Sequence, residues 1–107
     1  MIVVLSLDTR IGVTKWYTKK NCKTAEKIIL TLLDALEQTE QQDAFTKEEL
    51  IKECVLQLNK FNDGLDGSFI ETEEREELCD LFDNIADAVG LNVQDYPDGI
   101  ASKWRDW

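Results

Sequence analysis

With 107 residues, 43% of them apolar and 32% charged, the chain has room for one modest core and not for two. Its formal net charge of −10 falls wholly in residues 61–107, where thirteen acidic groups outnumber Arg75, Lys103 and Arg105. A field this one-sided repels nucleic acid and favours a basic partner.

The longest apolar run at the start, Met1–Leu5, is far below the roughly 20 residues of a bilayer span. No basic stretch followed by a long apolar segment and a small-residue cleavage site precedes the first helix, so a cytoplasmic protein without membrane contact is expected. Three widely spaced cysteines (Cys22, Cys54, Cys79) make an odd set. They read as reduced thiols behaving as small hydrophobes, not as a disulfide framework.

Ile2–Leu7 and Val13–Thr18 are β-prone runs joined by a short polar loop, which suggests a hairpin packed on a helix. The competing reading starts a long first helix at Thr14. From Ala25 the period changes: Ala25, Ile28, Ile29, Leu32, Leu33 and Leu36 fall on one helical stripe. Residues 37–45 read as a loop. Thr46 then opens a second helix, with Glu49 completing a capping box, and its stripe is Leu50, Ile51, Cys54, Val55, Leu58 and Phe61. Asn62–Gly67 breaks that helix. A third helix runs from Thr72 to Val89, with Leu78, Leu81, Phe82, Ile85, Ala86 and Val89 inward. Gly90 supplies a left-handed cap, and Leu91 folds back behind it. Tyr96–Gly99 is a turn, and Ile100–Trp107 adds one or two helical turns. The expected fold is one mainly α (α+β) domain over residues 1–107, a small three- to four-helix bundle with a short N-terminal β-hairpin.

The chain has no histidine, which removes His-activated nucleophiles, His proton shuttles and His metal ligation together. It has no Cys-x-x-Cys pair and neither glycine-rich phosphate cradle. Carboxylate-only catalysis stays formally open, but it needs a deep cleft that so small a helical domain seldom provides. The expectation is a protein that is not an enzyme and carries no cofactor or metal.

Asn62–Glu73 resembles a calcium-binding EF-hand loop, with Asn62 at position 1, Asp66 at 5, Gly67 at 6, Phe69 at 8 and Glu73 at 12. Gly64 stands where a central ligand is needed, and charged residues follow Glu73. The plainer reading is an interhelical turn.

On the third helix Glu73, Glu76, Glu77, Asp80, Asp83 and Asp87 occupy the positions the apolar stripe leaves free, forming a ridge about 21 Å long. Like charges at these spacings cost a few tenths of a kcal/mol per pair. One reading is a solvated face, paired internally with the basic stretch Arg10–Lys27. The other is a docking face for a basic protein, with aromatic anchors drawn from Trp104, Trp107, Tyr96 and Trp16.

The segment Phe69–Leu91 (FIETEEREELCDLFDNIADAVGL) and the ending Trp104-Arg-Asp-Trp107 resemble the C-terminal half of small acidic immunity proteins of bacterial contact-dependent and related toxin systems. The resemblance implies a stoichiometric inhibitor of a cognate toxin domain, often a nuclease. It transfers no residue roles, so the site rests on charge: Glu73, Glu76, Glu77, Asp80, Asp83, Asp87, Trp104 and Trp107. Two other readings remain, an EF-hand-like calcium module and a generic interaction adaptor.

Overall fold

The computed structural model describes residues 18–39, 41–67 and 69–107. Helix α1 (Lys19–Gln38) begins at Thr18, whose backbone is extended and whose hydroxyl accepts the Asn21 amide at 3.1 Å. Thr18 is therefore a cap and not a helical residue. The rest of the expected hairpin, residues 2–17, lies outside the described residues.

Helix α2 (Ala44–Asp63) starts earlier than the capping box at Thr46 and Glu49 implied. Asp43 is the cap, and its Oδ1 accepts the Thr46 amide at 2.9 Å. Thr46 is thus a donor inside the first turn, and the preceding loop is shorter than expected. The bond to Thr46 also holds the Asp43 carboxyl below the usual carboxylate range.

Helix α3 (Thr72–Ala88) ends as its sequence implies. Gly90 takes φ +89°, the Gly90 amide donates to Asp87 O and the Leu91 amide to Ala86 O, and Leu91 is buried. From α2, Lys47 Nζ donates to Val89 O at 3.1 Å, placing a cation on the negative end of α3.

The core draws on all three helices. Ala25, Ile29, Leu32 and Leu36 of α1 meet Ile51, Cys54, Val55 and Leu58 of α2 and Leu78, Phe82, Ile85 and Ala86 of α3. Cys22, fully buried, extends the α1 stripe by one turn toward its start. Each large aliphatic or aromatic side chain contributes about 1.5–3 kcal/mol on leaving water. The architecture is mainly helical, with no strand among the described residues.

The stretch after α3 is not α-helical. It forms two short 3-10 turns, Val93–Asp95 and Ile100–Lys103, and both pack against α3. Ile100 and Ala101 are buried there.

Two buried asparagines of α2 bind the irregular segments. Asn62 Oδ1 accepts the Phe69 and Ile70 amides at 3.0 and 2.8 Å, closing the link from α2 to α3. One turn earlier, Asn59 Nδ2 donates to Trp104 O at 2.8 Å, and its Oδ1 accepts the Asp106 amide at 3.2 Å. Each carboxamide satisfies backbone groups that no helix or sheet ladder reaches.

Candidate functional site

The apolar stripe of α3 turns its acidic residues to the other side of the helix. Glu73, Glu76, Asp80 and Asp87 are exposed, and Glu77 is partly so. Glu73 and Glu74 stand in the first turn, where carboxylates complement the helix dipole. Glu74 nonetheless turns inward and is only 7% exposed. Among the described residues no ion pair reaches Glu76, Asp80 or Asp87.

Asp83 belongs to the same helix but does different work. Its Oδ1 accepts the Ile100 amide at 2.9 Å, so it caps the second 3-10 turn. A Cβ added at Gly99 would meet the Asp83 carboxylate at 3.4 Å, so the close approach suits glycine, whose φ there is +90°. Asp83 therefore ties the tail to α3, leaving the outward ridge to its neighbours.

The tryptophans are committed as well. Trp107 is only 8% exposed, within the core cluster, with the Arg105 guanidinium 5.7 Å from its ring centre. Trp104 is half-buried, its carbonyl taken by Asn59 and its ring 5.3 Å from Lys103 Nζ. Tyr96 donates its hydroxyl to Glu48 Oε2 at 2.8 Å, while Lys103 Nζ pairs with Glu48 Oε1 at 3.0 Å. Burial, reinforced by Glu48, pushes the Tyr96 hydroxyl up to about 12. The bonds from Tyr96 and Lys103 hold the Glu48 carboxyl below its ordinary value. No periodicity pairs Glu48 with residues so far along the chain, so sequence reasoning missed this staple.

Lysines 19, 20, 23 and 27 of α1 line a shallow open hollow of their own. None of them reaches the α3 carboxylates among the described residues. Arg10 and Lys15, the other members of the basic stretch, lie outside the described residues. Among the described residues, then, the lysines of the first half of α1 are not paired with Glu76, Asp80 or Asp87.

The calcium-loop alternative meets a geometric obstacle at its first position. Asn62 is 3% exposed, and its oxygen is already accepting two amides. Among the described residues no three His, Cys, Asp or Glu side chains converge as a metal ion requires. Asp66 and Gly67, at φ +60° and +68°, shape the turn, and the Gly67 amide donates to Asn62 O.

No disulfide joins the cysteines among the described residues: Cys22 and Cys54 are buried and Cys79 is half-buried. Burial pushes Cys54 up to about 12 and raises Cys79, so both stay protonated near neutrality. No helix among the described residues is long and apolar enough to cross a membrane.

A family described as Domain of unknown function (DUF4844) matches residues 6–106. The chain belongs to the DUF4844 family. Its match takes in all three helices, both 3-10 turns and every carboxylate of the α3 ridge. No curated protein and no solved structure matched this DUF4844 chain.

Proposed function

We propose that the chain is a non-enzymatic, cytoplasmic inhibitor of immunity type, which binds a basic toxin domain, a nuclease, through the acidic face of α3. The observation that carries this reading is the outward set Glu76, Asp80 and Asp87, exposed and without ion pairs among the described residues. Glu76 and Asp80, about 5–6 Å apart, and Asp87, about 10 Å farther along the same rigid helix, stand in for the phosphates that a nucleic-acid cleft is built to hold. Such a face speeds encounter and selects the partner more than it adds affinity. The lack of histidine and the protonated thiols support a binding role over a catalytic one.

The test begins with the neighbouring reading frame. Its product's basic C-terminal domain is expressed, and binding is followed by surface plasmon resonance at low and high salt. The reading expects a 1:1 complex whose on-rate falls as salt rises, and whose affinity drops at least tenfold on E76K with D80K. Asp83 is left unchanged, because its carboxylate holds Ile100. Equal affinity for the double variant would refute the ridge as the docking face.

A further inference from the structure

A charged helix face steers a partner but needs an apolar anchor to hold it. Of the aromatic residues expected to serve, Trp104, Trp107 and Tyr96 are used within the fold, and Trp16 lies outside the described residues. We infer that the anchor is a groove at the end of the bundle, where α1 and α3 stop and α2 begins, and that it takes an apolar side chain borne on a basic segment of the partner protein. This rests on the inhibitor reading and names the chemistry of the partner's contact.

The groove has a volume of about 580 Å³, within the range of pockets that hold apolar groups. Leu33 and Leu36 of α1 form one wall, and Ala88, Val89 and Gly90 form the other. Leu33 and Val89 are only partly covered by the core beneath them. A Cβ built at Gly90 would meet nothing within 4 Å among the described residues.

Charge decides what kind of segment fits. The C-terminal ends of α1 and α3 both lie at this groove, and neither helix has a basic residue in its last turn. The end of α1 carries about half a negative charge, whereas that of α3 is offset by Lys47. Glu37 adds a carboxylate to the lining, and Asp87, last of the ridge, immediately precedes Ala88. Lys47 is the lining cation, and its ammonium is already donating to Val89 O. An apolar floor under a negative rim, continuous with the ridge, matches an amphipathic segment rich in lysine or arginine. Phe45, 71% exposed two residues before Lys47, and Val93, 38% exposed three residues after Gly90, add apolar surface at flanking chain positions.

Three synthetic peptides of equal length test this on the intact chain: a Leu/Lys amphipathic helix, a Leu/Glu helix of the same pattern, and oligolysine. Amide chemical shifts map binding, and fluorescence anisotropy measures affinity. The Leu/Lys peptide should move the amides of Leu33, Glu37, Val89 and Gly90, oligolysine only those of the α3 ridge, and the Leu/Glu peptide neither set. A88R places a cation at an exposed lining position where a helix end favours it, so folding is kept. It should weaken the Leu/Lys peptide at least tenfold and oligolysine far less, whereas E76K with D80K should weaken oligolysine more than A88R does.

If the Leu/Lys peptide moves only α3 amides, or binds A88R as well as the parent, the groove is refuted while the ridge stands. If groove amides respond but the ridge variant binds both cationic peptides normally, the groove stands and the ridge falls. Binding by neither cationic peptide overturns both. The shift map on the unaltered chain decides the matter even if a variant fails to fold.

Discussion

Replacing Asn62 with alanine removes one oxygen and strands two backbone amides. Phe69 and Ile70 donate to Oδ1 at 3.0 and 2.8 Å, and the three residues are 3%, 1% and 4% exposed for Asn62, Phe69 and Ile70. Water has no ready route to replace the lost acceptor. A buried donor left without a partner costs about 1–3 kcal/mol, so two of them put the loss at about 2–6 kcal/mol. At about 4 °C per kcal/mol for a domain of this size, the melting temperature should fall by roughly 8–24 °C. Urea titration followed by circular dichroism at 222 nm measures the loss directly, and an unchanged m-value shows that both states keep their compactness. Asn62→Asp keeps an acceptor but buries a charge beside Asp63, so its stability should lie between parent and alanine variant. Calcium at millimolar concentration should leave the parent's melting temperature unmoved, since the oxygen is already used. An alanine variant within about 0.5 kcal/mol of the parent would refute the clasp.

Asp83→Ala should cost about 1–2 kcal/mol by freeing the Ile100 amide, whereas Asp80→Ala should stay within about 0.5 kcal/mol; chemical denaturation of the pair checks the contrast. Gly90→Ala should lose about 1 kcal/mol in the same assay, because φ is +89° there although the space around it is open. Partial desolvation and the neighbouring Asp63 raise the Asp106 carboxyl, so its favourable contribution is present in acid and is lost as pH rises through the folded value. Asp106→Asn should therefore raise the melting temperature at pH 7, with the gain vanishing below about pH 3.5. Glu48 is shifted the opposite way, by its bonds to Tyr96 and Lys103, so its contribution is present above the unfolded value and lost as pH falls. Glu48→Gln should lower stability at pH 7 and converge with the parent in acid; melting curves across the range test both signs.

The helical stripes were legible because burial on one side of a helix imposes a period that survives in any single sequence. Ile29, Leu32 and Leu36, Ile51, Val55 and Leu58, and Leu78, Phe82 and Ile85 all lie where that period puts them. The Gly90–Leu91 ending was legible for a related reason: its chemistry is local. The start of α2 was misplaced because Asp43 and Thr46 are both capping residues three positions apart, and composition does not choose between them. The work of Asn59 and Asn62 could not be read: Asn62 was placed at the helix break and as a calcium-loop ligand, although α2 runs on to Asp63. A polar residue on a helix looks the same whether it faces solvent or holds a distant backbone, and their partners lie up to 47 residues away. Asp83 shows the same limit from the other side, since periodicity grouped it with the ridge while one long-range bond sets it apart.

That division bears on what the remaining carboxylates are for. Acidic side chains that the fold needs have found work: Asp43 caps α2, Glu48 staples Tyr96 and Lys103, and Asp83 caps the tail. Glu76, Asp80 and Asp87 have no such task among the described residues, and repulsion along one helix costs a few tenths of a kcal/mol per pair. A helix that needed only solubility would be better served by alternating signs, with Lys or Arg four residues after each carboxylate. On α3 the basic residue is Arg75, ahead of the Asp80–Asp87 stretch, and the last turn has none, although cations there would be favoured by the helix dipole. Departures from local optimality of this kind concentrate at functional sites. Replacing Asp80 and Asp87 with lysine should therefore leave the fold intact and raise the melting temperature slightly while abolishing attraction to a basic partner. A loss of stability in that variant would show that the carboxylates serve the fold, and would remove the reason for assigning them to a partner.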